Sequence, residues 1–219
     1  MKICYLASAN SIHSKRWIDY FAQKGHDIYW ISLAKNEFEK IDKVKFYQLK
    51  EYWQKPLDIL LNFYPLKRIL KKIKPDIFHA HYAGVNGVLG ALSGFHPFVL
   101  TAWGSDILIA GKSKISKPFI KFALKKSDLI TCDAEHIKEA IIKLGIPPSK
   151  IKIIYFGVDT QKFSPGEKDE KLIQELNLHN SPIIISLRNL EPIYNLETLI
   201  KAIPLVLREF PKSKFIIAG

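Results

Sequence analysis

Strand-like runs of five to seven residues, rich in apolar side chains, alternate with amphipathic segments along most of the chain. The strand-like runs are residues 2–7, 27–33, 44–50, 76–81, 97–102, 128–133 and 151–155. Several, such as ICYLA and IKIIY, are continuous rather than alternating, the pattern of strands covered on both faces. Over residues 134–144, Ile137, Ala140, Ile141 and Leu144 recur at helical spacing, with Asp133 placed as N-cap and Gly145 as the stop. Trp17, Ile18, Phe21 and Ala22 form a second stripe between Ser11 and Gly25. Strand–helix–strand alternation with short connections predicts parallel pairing through right-handed crossovers, hence a doubly wound α/β sheet.

The pattern changes after Tyr155. FGVDTQKFSPGEKDEK mixes glycine, proline and charge with no strand signal. The expected organisation is a Rossmann-like domain over 1–160, a linker over 161–181 with a short helix near 170–176, and a second unit over 182–219. That unit reads as one strand–helix–strand crossover. Its helix, 195–210, carries Leu196, Leu199, Ile200, Ile203 and Leu207 on one side, with Pro204 as a candidate kink. So short a unit does not complete a doubly wound domain, so the expectation is a truncated second Rossmann-like domain.

The 219 residues are 47% hydrophobic and 12% aromatic, which excludes wholesale disorder. The longest apolar stretch, 85–100, is interrupted by Asn86, Gly87, Gly90, Gly94, His96 and Pro97, so no membrane span is predicted. Residues 1–9 lack the pattern of a signal peptide, and the expected location is cytoplasmic. Cys4 and Cys132 sit inside strand-like runs and read as core thiols, not zinc ligands or a disulfide. A net charge of +12 points to an anionic partner: substrate phosphates, lipid head groups or nucleic acid. In residues 66–74, Lys67, Arg68, Lys71, Lys72 and Lys74 oppose Leu66, Ile69, Leu70 and Ile73. Farther on, Lys114, Lys117, Lys121 and Lys125 share one helical arc. Such faces suit either plain solvation or an anionic membrane surface. Nucleic acid is not expected, since no recognition motif accompanies them.

Ligands of open parallel sheets bind beyond the carboxyl ends of the strands, and four such ends carry unusual residues. SANSIHSKRW gathers Asn10, His13 and Arg16 at a helix start, which fits an anion site or a capped helix with a basic first turn. PDIFHAHYAGVNG places His79 and His81 on the same side of a strand. They fit a polar pair touching substrate or the next loop better than a metal site, and no metal is expected. Gly84 and Gly87 let the next helix start close to a ligand or serve packing. TAWGSDIL offers Gly104 for a tight turn, and Asp106 as a loop carboxylate for a substrate hydroxyl or as a turn and cap residue. Arg188, ending IIISLRN, suits phosphate or a surface ion pair.

In this order the motifs resemble the retaining GT-B glycosyltransferases of family 4, over the whole length of the chain. SANSIHSKRWIDYFAQKGHDIYWISL is similar to the family's first crossover in the branch with a His-x-x-Arg-Trp loop. KPDIFHAHYAGVNG, TAWGSDIL and SDLITCDAEHIKEAI follow in family order, and IIYFGVDTQKFSP resembles its hinge with Phe156 in place of asparagine. ISLRNLEPIYNLETLIKAI resembles the start of the nucleotide-sugar-binding domain.

The resemblance implies a transferase with an acceptor-binding N-terminal domain and a donor-binding C-terminal one. It moves a sugar from a nucleotide-sugar to a lipid-linked or polysaccharide acceptor at the inner membrane face, without a cofactor. It casts Asp106 and His81 as catalytic. It casts Asn10, His13, Arg16, Gly84, Trp103, Gly104, Arg188, Tyr194 and Asn195 as substrate-binding. Three departures stand out. Trp103 replaces a histidine common in the family, and Tyr194 and Asn195 stand where Lys-Gly is common. The sequence also ends at FIIAG, before the family's paired glutamates. The 219 residues alone are therefore expected to be inactive. A second reading is a non-catalytic acceptor-binding half, or a split subunit that needs a donor-binding partner. A third, an epimerase or phosphorylase of the same architecture, fits the fold but not the TAWGSD and SLRN context.

Overall fold

The computed structural model describes residues 1–38, 41–52 and 54–219. They form two compact units, Met1–Gly157 and Val158–Gly219. In the first, seven strands are β1 (Lys2–Leu6), β2 (Asp27–Ser32), β3 (Val44–Gln48), β4 (Ile77–His81), β5 (Phe98–Thr101), β6 (Leu129–Cys132) and β7 (Ile151–Ile153). They stand in the order β3-β2-β1-β4-β5-β6-β7, every pair parallel. The seven apolar runs are these seven strands, each a little shorter than its run because the terminal residues turn out of the ladder.

Register divides the side chains between two faces. Cys4, Phe78 and Phe98 align across β1, β4 and β5, as do Leu6, Ala80 and Leu100. This row joins Leu66, Leu70 and Ile73 of α2 (Lys55–Ile73), Leu89 of α3 (Val85–Ser93), and Ile120, Leu124, Ile137 and Ile141 of two later helices in the larger core. Between α3 and α5 (Ser116–Lys126) lies the short α4 (Ser105–Leu108), and α6 is Glu135–Lys143. The opposite face packs Ile3, Tyr5, Ile28 and Trp30 against Ile18 and Ala22 of α1 (Ile12–Gln23). Within the larger layer α2 packs on α3 and α3 on α5.

Three local expectations change. The N-cap of α6 is Ala134, with extended backbone, and Asp133 does not cap it; its Oδ1 has no hydrogen-bond partner among the described residues. Lys114 precedes α5, so the lysine arc of that helix begins at Lys117. The apolar side of 66–74 is not a free amphipathic face, because Leu66, Leu70 and Ile73 are buried in the core.

The second unit pairs β8 (Ile183–Ser186) with β9 (Lys214–Ile217) in parallel through α8 (Leu196–Glu209), which contains Pro204. The stretch read as a linker contains α7 (Glu170–Glu175), capped by Asp169, whose Oδ1 accepts from the Leu172 N–H at 3.1 Å. Among the described residues no helix is long and apolar enough to cross a membrane.

Gly90 sets how closely α3 lies on the sheet. A Cβ there would stand 2.6 Å from Cζ of buried Phe98. Gly90→Val should therefore lower stability by about 2–3 kcal/mol through overpacking. Gly166→Ala, in open space, should stay within about 0.5 kcal/mol. Urea denaturation midpoints measure both.

Candidate active site

Strand order reverses between β1 and β4, so their carboxyl ends diverge and leave a crevice. The loops after β1, β4 and β5 border it. Gly104, at φ +102°, turns the chain after β5 into α4 in a conformation that side-chain-bearing residues rarely adopt. Asp106 in that helix is fully buried. Its Oδ2 accepts from the Ala83 N–H at 2.7 Å and its Oδ1 from the Trp103 N–H at 3.1 Å. The backbone N–H groups of Gly104 and Asp106 add to these. Burial pushes its pKa up, and the four N–H groups pull it partly back. The expected loop carboxylate facing a substrate hydroxyl is thus turned inward, where it joins the β4 and β5 exits.

His79 and His81 are both buried on one face of β4. His79 Nε2 lies 2.6 Å from Thr101 Oγ1, which lies 2.7 Å from Thr131 Oγ1, a polar row across three strands. His81, only 2% exposed, meets Ser14 Oγ through Nδ1 at 3.4 Å. Its Nε2 has no hydrogen-bond partner among the described residues, and the ring packs edge-on against Tyr5, Trp17 and Trp103. Burial pulls His79 down to about 3. It also holds His81 well below the ordinary range, with the charge of His79 adding to the effect. Both are neutral at pH 7. The ring proposed as catalytic is enclosed by aromatic neighbours.

Above this layer a three-ring stack opens to solvent. Trp103 and Phe156 are parallel with centroids 5.1 Å apart, and His13 lies 5.2 Å from Trp103 and 5.5 Å from Phe156. His13 and Phe156 are exposed and Trp103 half-buried. Tyr82 stands beside them at φ +78°, its hydroxyl 3.5 Å from Ser105 Oγ. Strained backbone in a non-glycine residue is concentrated at functional sites. Neither Tyr82 nor Phe156 was among the candidate residues. Phe156 was visible only as a departure from the hinge pattern, and a positive φ at Tyr82 has no signal in the sequence.

The remaining candidates divide by unit. Asn10 is exposed and accepts from Ser8 Oγ at 2.7 Å, and Arg16 is exposed on α1. Gly84 begins α3, and a Cβ there would meet the Tyr82 ring at 3.0 Å. A cavity of about 280 Å³ is lined by Ser8, Glu51, Asp58, Val85 and Asn86, among others. In the second unit the Arg188 guanidinium lies over the Tyr194 ring at 5.6 Å. Asn195, at φ +50°, starts α8 and accepts from Thr198 Oγ1.

The sequence profile described as glycosyl transferase 4-like matches residues 2–134, the stretch that builds this crevice. The chain belongs to that family. A glycosyltransferase of Methanocaldococcus jannaschii without a characterized activity is 32% identical over 120 residues, 53% of this chain and 34% of that protein. The Escherichia coli UDP-Gal:alpha-D-GlcNAc-diphosphoundecaprenol alpha-1,3-galactosyltransferase is 32% identical over 130 residues, 54% of this chain and 33% of that protein. The match therefore spans about one third of each curated relative. Among solved structures, Anabaena HepE with UDP-glucose has TM-score 0.78 at 19% identity, over 99% of this chain and 60% of that one. Sucrose-phosphate synthase of Thermosynechococcus elongatus has TM-score 0.77 at 15% identity, over 100% and 62%. The GT-B fold expected from the motif order is the fold of this family member.

Two outcomes follow from the buried polar groups. Asp106→Asn turns an amide N–H₂ toward backbone donors and should lower stability by about 2–3 kcal/mol, read in urea melts. A histidine whose folded pKa lies below its unfolded value of 6.5 supports folding above that value and loses the contribution as pH falls toward about 3. Between pH 7 and pH 5 the wild type should lose about 2 kcal/mol more stability than His79→Gln.

Proposed function

We propose that this family member works on the acceptor side of a retaining glycosyltransferase. The reaction moves a hexosyl group from a nucleotide-sugar to a lipid-linked or polysaccharide acceptor at the cytoplasmic face of a membrane. The observation that carries this reading is the solvent-open stack of His13, Trp103 and Phe156, which follow β1, β5 and β7 in the chain. Flat aromatic faces suit the C–H faces of a sugar ring, and the crevice is where this sheet type binds ligands.

The same edge supports front-face chemistry over a double displacement. A covalent route needs a carboxylate free to attack the anomeric carbon. Asp106 is enclosed, its oxygens taken by backbone N–H groups, and His81 is buried and neutral. On the proposed route the acceptor oxygen bonds to the anomeric carbon as its bond to the diphosphate breaks. The hydroxyl proton passes to a phosphate oxygen of the leaving group. On this reading unit 1 positions the acceptor, and Arg188 is by itself a candidate cation for a donor diphosphate.

The full-length gene product, given a panel of nucleotide-sugars and a diphosphopolyprenyl-linked sugar, should form a glycoside whose anomeric configuration matches the donor, read by proton NMR. Trp103→Ala should raise KM for the acceptor about tenfold with a smaller change in kcat. Arg188→Ala should weaken donor binding about tenfold or more. An acceptor-independent epimer of the nucleotide-sugar would replace this reading with an isomerase on the same fold. UDP-N-acetylglucosamine 2-epimerases share that fold at TM-score 0.64 and 17% identity.

A further inference from the structure

Core packing consumes the apolar side of residues 66–74, but α2 carries a second apolar stripe that is not consumed. Leu57, Leu60, Leu61 and Tyr64 recur at helical spacing and are exposed, Leu60 by 71% and Tyr64 by 66%. Beyond them on the outer surface come Arg68, Lys71, Lys72 and Lys74, also exposed. The one acid of this helix, Asp58, is buried, and its Oδ1 accepts from the Tyr52 N–H. Lys67, Arg68, Lys71 and Lys72 make no ion pair among the described residues. Lys67 and Arg68 lie instead over the rings of Phe63 and Tyr64, at 5.1 and 5.6 Å.

Connectivity fixes where this stripe lies. Each crossover helix starts at the carboxyl edge of the sheet, so the apolar half of α2 lies at the same end as the crevice. Asp58, within a turn of Leu57 and Leu61, lines the 280 Å³ cavity with Ser8, Glu51 and Asn86. In the same helix layer, Ile115 and Phe119 at the start of α5 are 80% and 55% exposed beside Lys117.

We infer that the outer face of α2, continued by the start of α5, docks on an anionic phospholipid surface. Leu57, Leu60, Leu61 and Tyr64 enter the apolar boundary while Arg68, Lys71 and Lys72 meet the phosphate head groups. Docking in this way brings the cavity to head-group depth, within reach of an acceptor whose hydrocarbon tail stays in the bilayer. That last step rests on the proposed transfer reaction; the docking itself does not. Charge favours lipid over the other candidates. A second copy seated on the stripe would bury these cations with no exposed acid of α2 to pair them. A nucleic acid backbone gives the leucines nothing to enter.

The test is co-sedimentation of the protein with vesicles of phosphatidylglycerol and phosphatidylcholine, and of phosphatidylcholine alone. Binding should be about tenfold or more stronger to the anionic vesicles and should fall as salt is raised. Leu60→Ser with Tyr64→Ser, and separately Arg68→Glu with Lys71→Glu, should each weaken binding about tenfold. Both pairs are on the surface, and unchanged circular dichroism melts establish folding. Lys2→Glu with Lys24→Glu, the same charge change away from the α2 layer, should weaken binding less than the α2 pair. Equal loss in the two charge variants would reduce the effect to net charge and overturn the assignment. Failure to bind anionic vesicles overturns it too, as does a concentration-dependent dimer abolished by the serine pair. None of these readouts uses turnover, so a silent transferase assay leaves them intact, and failed docking leaves transfer to a water-soluble acceptor intact.

Discussion

A carboxylate can remain in a protein interior only if hydrogen bonds replace the water it has lost. Asp106 meets that condition with backbone donors, and the geometry of this crevice depends on it. Ala83 belongs to the exit of β4, and Trp103 to the exit of β5. One side chain therefore sets the spacing of two loops. The Trp103 indole is held in place, and His13 and Phe156 stack on it. Tyr82, one residue before Ala83, takes its positive φ in the same tethered turn. The longer glutamate would shift its carboxylate away from at least one of these donors, and an amide would face one of them with the wrong polarity.

The polar row beneath the stack has a related consequence. His79, Thr101 and Thr131 satisfy one another in sequence across β4, β5 and β6. Burial keeps both histidines uncharged. A protonated imidazole here would lack a carboxylate partner and would lose the aromatic packing around it. The row therefore stiffens the carboxyl edge without adding charge to it. Charge that develops in the proposed transfer must be met from elsewhere, which is why that route gives the proton to the diphosphate leaving group.

How much of this could be read from residues alone depends on the range of the interaction. The five inner strands show themselves as apolar runs because burial on both faces is a local requirement, repeated residue by residue, while β3 and β7 at the edges keep lysines in their runs. The order of the strands follows from handed crossovers. The direction of Asp106 does not, because its partner Ala83 is 23 residues away and no spacing rule connects a loop acid to a distant N–H. Asp133 shows the same limit at shorter range: it precedes α6 as a cap residue should, yet the N-cap of α6 is Ala134, with no side-chain cap bond. In α2 the periodicity of residues 66–74 correctly separates lysines from leucines. It cannot say that this apolar side is spent on the core while Leu60 and Tyr64, just before it in the same helix, remain outside.

These pieces divide recognition in a physically economical way. Aromatic stacking is indifferent to salt and weakly directional, so it suits an acceptor ring that must slide into register before reaction. Cationic contacts are long-ranged and sensitive to salt, so they suit a first, forgiving encounter. In the first unit the two are separated: rings hold the crevice, and cations with exposed leucines hold the outer face of α2. An acceptor with a sugar head and a hydrocarbon tail is the one ligand class that uses both at once. A free sugar would leave the leucines of α2 without a role, and a bare lipid would leave the stack without one. The pairing of these two surfaces at one end of the sheet, more than either alone, is what favours a lipid-borne acceptor in the proposed reaction.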